Sequence, residues 1–85
     1  MSKSRELSSK YETIRQTVHS NLETIRTLVE QADNLTNLIE ETPDEELRNK
    51  LKDSVKNLYS TIDTLIEESN KLFDQYLDFA NSVAD

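Results

Sequence analysis

The 85-residue sequence contains no glycine, no cysteine, no tryptophan and a single proline. Without glycine the chain lacks the residue that tight hairpins, bulges, phosphate-binding loops and most helix C-caps depend on, so strand-rich and loop-rich folds are excluded in favour of helices. Without cysteine there is no disulfide framework, no thiolate metal site and no thiol nucleophile. Basic residues are also scarce, 10 Lys and Arg against 17 Asp and Glu for a net charge of −7, and they are scattered singly. That balance argues against direct nucleic-acid binding, which needs clustered cations to neutralise phosphate. Long apolar runs are missing as well, the longest being two residues, so the sequence predicts neither a membrane span nor a signal peptide. The expected address is cytoplasmic, with leaderless export as the alternative.

What is present is periodicity. A heptad frame with Tyr11 at position a puts Tyr11, Val18, Ile25, Ala32 and Ile39 at a, and Leu7, Ile14, Asn21, Leu28 and Leu35 at d. From Leu51 onward a second frame places Leu51, Leu58, Leu65, Leu72 and Phe79 at d, and Val55, Ile62, Ser69, Tyr76 and Val83 at a. Each ten-residue seam holds one polar residue, Asn21 in the first and Ser69 in the second. Seams of this regularity with no period-2 alternation predict two long helices.

Thr42-Pro43-Asp44-Glu45 reads as the join, with threonine as N-cap, proline at the first helical position and glutamate three residues after the cap. The expectation is an all-α antiparallel two-helix hairpin, coiled-coil-like and forming one domain over residues 1–85. Helix 1 spans about 4–41, the turn falls at 42, helix 2 spans about 43–83, and Met1–Lys3 forms a frayed end. Antiparallel seams meet when paired residue numbers sum to 83 or to 90. The tighter turn favours 83, with Val18 on Leu65 and Ile25 on Leu58. The value 90 needs a longer loop and brings Asn21 and Ser69 into one layer, where a polar seam residue can fix register or oligomeric state.

Position e of the heptad is also apolar, at Leu22 and Val29 in the first helix and at Tyr59, Ile66, Phe73 and Ala80 in the second. One partner helix cannot cover a face that wide. A lone hairpin of this size buries little, so the stripe predicts association, either of two copies into a four-helix bundle or with another helical protein. Leu77 falls outside that stripe. Five carboxylates within seven residues, Glu40, Glu41, Asp44, Glu45 and Glu46, make an acidic tip that could dock on a basic partner. The second half is the more acidic, at −5 against −2 for residues 1–42.

Chemistry has few candidates. His19 is the single histidine and follows an a position, facing solvent with no second ligand, so no metal, cofactor or small-molecule substrate is expected. With no cysteine and one isolated histidine, nucleophile and base pairs have no members, and enzymatic activity is not expected. Asn34-Leu35-Thr36 matches a glycosylation sequon, read as coincidental.

Proportion and the Thr42-Pro43-Asp44-Glu45 turn make the chain similar in outline to type III needle subunits, and shape and acidity make it similar to WXG100-type hairpins. It has one proline in the turn and no Trp-x-Gly, while Tyr59-Ser60-Thr61-Ile62-Asp63 matches the Tyr-x-x-x-Asp export pattern inside the second helix. The resemblance implies a secretion-system component or export partner. Against these stands the leading expectation of a non-enzymatic interaction module acting as subunit, adaptor or regulator. A third is an acidic inhibitor that occupies a basic cleft in imitation of nucleic acid.

Overall fold

The computed structural model describes residues 2–84, which form two helices, α1 (Ser2–Glu41) and α2 (Glu45–Ala84), packed along their length as an antiparallel hairpin. Its extents are 65 × 16 × 11 Å. That matches the ~60 Å that 40 residues span at 1.5 Å rise each. No strand occurs among the described residues. The two seams face each other because each presents apolar groups every 3.5 residues, and two such stripes remove the most surface from water by lying against one another.

Helix 1 begins at Ser2 rather than near residue 4, so Lys3 is helical, while the Met1 part of the expected frayed end lies outside the described residues. The larger correction is at the turn. The helix-2 cap is Asp44, not Thr42, and the helix starts at Glu45, two residues later than Pro43. Asp44 Oδ1 accepts a hydrogen bond from the Glu46 N–H at 3.0 Å, and the Asp44 carbonyl accepts from the Arg48 N–H at 2.9 Å. Aspartate is a stronger N-cap than threonine, and Thr42 is engaged elsewhere, its Oγ1 donating to the Leu38 carbonyl at 2.6 Å. Pro43 therefore separates the helices instead of opening the second. It follows that Asp44→Ala lowers stability by about 1 kcal/mol in urea denaturation and exceeds the effect of Thr42→Val. The Thr42-capped arrangement requires the reverse order.

The register is also corrected. Asn21 Nδ2 donates to Ser69 Oγ at 3.1 Å, a pair summing to 21 + 69 = 90, so the tight-turn value of 83 is overturned. Three features favour the longer offset. It aligns ten seam layers, from Leu7 on Val83 to Ile39 on Leu51, where the sum of 83 aligns eight, from Leu7 on Tyr76 to Ala32 on Leu51. It satisfies both polar seam residues at once. The three-residue loop makes it reachable: Glu41 stands level with residue 49, so the first turn of α2 runs about 6 Å past the end of α1 and the extended loop climbs beside it.

Burial is thin. Among the described residues Ala32 at 0% exposed, Ile62 at 7% and Ser69 at 8% are the buried ones, and the other seam positions are half-buried except Tyr11, which is exposed. At the open end Tyr11 meets Tyr76 edge-on with ring centroids 5.7 Å apart, and Lys10 Nζ lies 4.8 Å from the centre of the Phe79 ring. Such contacts hold the termini together where the seam alone leaves rings accessible.

Candidate interaction surface

With 100° between successive residues, position e lies 40° from a, on the side away from d. In an antiparallel pair the e columns of both helices fall on one face, and the g columns on the other. The apolar residues outside the seam thus converge. Leu22, Val29, Tyr59, Ile66 and Phe73 are all exposed on this face, with Leu22 56% and Phe73 44% accessible, while Ala80 is half-buried. Leu77, expected to stand apart, is 55% exposed and lies one helical turn from Phe73 and from Ala80, so it broadens the stripe.

The hairpin groove confirms that the two columns share a face. A cavity of about 230 Å³ opens there, walled by Tyr11, Ile14, Val18, Leu22, Phe73 and Tyr76, with Arg15 and His19 at its rim. Arg15 is held in place by Glu12, Nη2 donating to Oε1 at 2.6 Å and Nε to Oε2 at 3.3 Å. This hydrogen bond to Arg15 lowers the Glu12 carboxyl below its usual range and correspondingly raises the guanidinium. The wall of the groove is apolar, and the Arg15 charge beside it is paired with Glu12. Tyr11 was legible only as a seam residue, yet it is 48% exposed and walls the groove.

The opposite face differs. Besides Leu38 and Leu47 its g positions carry Lys10, Thr17, Thr24, Gln31, Ser54, Thr61, Glu68, Gln75 and Ser82, and four of the hydroxyls turn inward to their own helices. Thr17, Thr24, Ser54 and Thr61 each donate to the carbonyl four residues earlier at 3.0–3.2 Å. Leu38 and Leu47 are the exposed large apolar side chains there, near the turn, and the sequence reading passed over both.

The acidic tip is assembled at one end, though its carboxylates are not equivalent. Asp44 serves the cap, Glu46 reaches Lys50 at 4.0 Å, and Glu45 and Glu46 stand in the first turn of α2, where the helix dipole favours negative charge. Glu40 and Glu41 end α1, whose last turn has no basic residue. Arg48 occupies the seam position nearest the loop, and its buried Nε has no hydrogen-bond partner. Polar seam residues Asn21 and Ser69 are consumed by each other. His19 and the Tyr59–Asp63 pair are exposed.

Ion pairs stay within single helices: Arg15 with Glu12, Arg26 with Glu30, and Lys50 with Glu46. Among the described residues none joins α1 to α2, and no group of three His, Cys, Asp or Glu side chains is placed to hold a metal. No described helix is long and apolar enough to cross a membrane. No family model, curated protein or solved structure matches this chain.

Proposed function

We propose that the protein is a non-enzymatic interaction module that binds a helical partner, its own second copy included, through the e face. One observation carries this reading: apart from Leu38 and Leu47 near the turn, the exposed large apolar side chains that the seam does not use gather in a stripe on one side of the hairpin. From Tyr59 to Ala80 the stripe runs about 32 Å at 1.5 Å per residue. Across a hairpin 16 Å wide this is on the order of 500 Å² of face, toward the upper end of the patches that monomeric proteins leave open. Covering it supplies burial that the thin seam lacks.

The test is binding by the intact hairpin against binding by Phe73→Glu. Phe73 sits outside the seam, so the variant keeps its helicity, while a carboxylate at the centre of an apolar contact weakens association by about 100-fold. Sedimentation equilibrium reads self-association, and capture from an extract of the native source reads other partners. Equal behaviour of the two proteins in both measurements overturns the reading.

A further inference from the structure

Resting on that reading of the e face, we propose that its occupant is a second copy of the chain, packed with both acidic tips at the same end about a two-fold axis parallel to the hairpin. This places α1 of each copy across α2 of the other, so every neighbouring pair in the resulting four-helix bundle is antiparallel.

The argument comes from heights along the hairpin. The Asn21–Ser69 bond sets residue i of α1 level with residue 90 − i of α2. Leu22 is therefore level with 68 and Val29 with 61. Across the proposed interface Leu22 enters between Ile66 and Phe73 of the second copy, and Val29 enters between its Tyr59 and Ile66. These apolar groups interdigitate without a mismatch in height, and Arg15, level with 75, falls between Phe73 and Ala80 of the second copy.

Three of the charges that flank the stripe then meet their opposites, while Glu12, level with 78, stands beside Leu77. Asp33 stands level with 57 and faces Lys56 of the second copy; Arg26 stands level with 64 and faces its Asp63; Glu40 stands level with 50 and faces its Lys52. Within one hairpin these partners occupy outer edges of different helices and form no ion pair, since every such pair is local to one helix. Matched charges that cannot reach each other inside the monomer are brought together, twice over, by the two-fold axis.

The opposite orientation matches less well in the register that sets its stripes directly on each other. Laying the α2 stripes on each other with tips apart pairs Tyr59 with Ala80 and Ile66 with Phe73, a sum of 139. It then forces a sum of 41 on α1, which sets Val29 over Glu12 and Arg15 over Arg26. Bringing the tips to one end does crowd like charge, but Lys52 neutralises Glu40 there, and the remaining carboxylates sit in solvent where screening acts within about 8 Å. Including the charged flank from Lys52, the face measures about 42 by 16 Å, roughly 700 Å² and close to the ~800 Å² each partner contributes to a stable complex. Rim charges of this kind set orientation more than they add affinity.

The absence of cysteine permits a clean measurement. A single spin label on Glu46→Cys, off the interface, gives a label-to-label distance within roughly 40 Å when the tips adjoin, since neighbouring helix axes lie ~10 Å apart. Tips at opposite ends give roughly 70 Å. Lys56→Glu should raise the dimer dissociation constant about ten-fold, because the pair occurs twice, and adding Asp33→Lys should restore it to within a few-fold. A dimer with the short distance and the rescue supports the proposal; a dimer with the long distance, or without rescue, overturns it. A monomer at ~100 μM with full helicity also overturns it. In that last case Phe73-dependent capture of another protein leaves the broader reading standing, and its absence removes both.

Discussion

Ile62→Asp unfolds the hairpin. Among the described residues Ile62 is the one large apolar side chain buried below a tenth exposure, at 7%, and it sits two layers from the Asn21–Ser69 pair. An aspartate there either takes a charge into the contact between helices or is held protonated, and neither form replaces the lost apolar contacts. A truncation without charge, Ile62→Ala, already costs about 2–4 kcal/mol, against the 5–15 kcal/mol that separates a typical folded domain from its unfolded chain. With Ala32 and Ser69 as the other buried residues, no remaining layer can absorb that loss. Helical ellipticity at neutral pH should fall by more than half and the melting transition should lose its cooperativity. Leu77→Asp, on an exposed position, should change stability by no more than about 0.5 kcal/mol. A variant at 62 that melts like the parent would show that the seam is not what holds the helices together.

Ser69→Leu is expected to destabilise by about 1–2 kcal/mol even though it adds apolar surface, because the Asn21 amide keeps its half-buried place and loses the acceptor at 3.1 Å. Asn21→Leu added to it should do more than recover the loss. Two facing leucines replace a hydrogen-bonded pair, and each contributes on the order of 1.5–3 kcal/mol on full burial, less at this half-covered seam. Chemical denaturation at one fixed protein concentration, so that association does not move the midpoint, gives the four corners of the cycle. Strictly additive effects would mean that Asn21 and Ser69 act independently of each other. The doubly substituted chain gains stability and loses a register marker, which is the usual exchange for a polar group in a coiled-coil seam.

The reason lies in what a heptad can and cannot encode. Eighteen apolar seam positions were enough to give two helices and their antiparallel packing, and the e column was as legible, since each of these depends only on which residues recur every seven. Register does not. A pattern of period seven is unchanged by a slip of seven, and the choice between 83 and 90 falls to features outside the period: one hydrogen bond, two additional end layers and the length of the loop. The loop itself was misjudged because Thr42 and Asp44 both resemble caps and stand two residues apart. Aspartate prevailed once the threonine hydroxyl had turned back to Leu38, a local competition that a motif scan does not weigh. Leu38 and Leu47 escaped notice for a related reason: they sit at g, where the column is otherwise polar.

The inward-turned hydroxyls of the g face bear on how far any assembly can grow. Thr17, Thr24, Ser54 and Thr61 spend their donors on backbone carbonyls of their own helices, so along most of its length that side presents few groups seeking a mate. Open-ended polymers need two complementary adhesive surfaces on each subunit. A hairpin that paired through the e face as proposed would keep no second apolar stripe, only Leu38 and Leu47 near the turn, and concentration would then drive it toward discrete complexes rather than fibres.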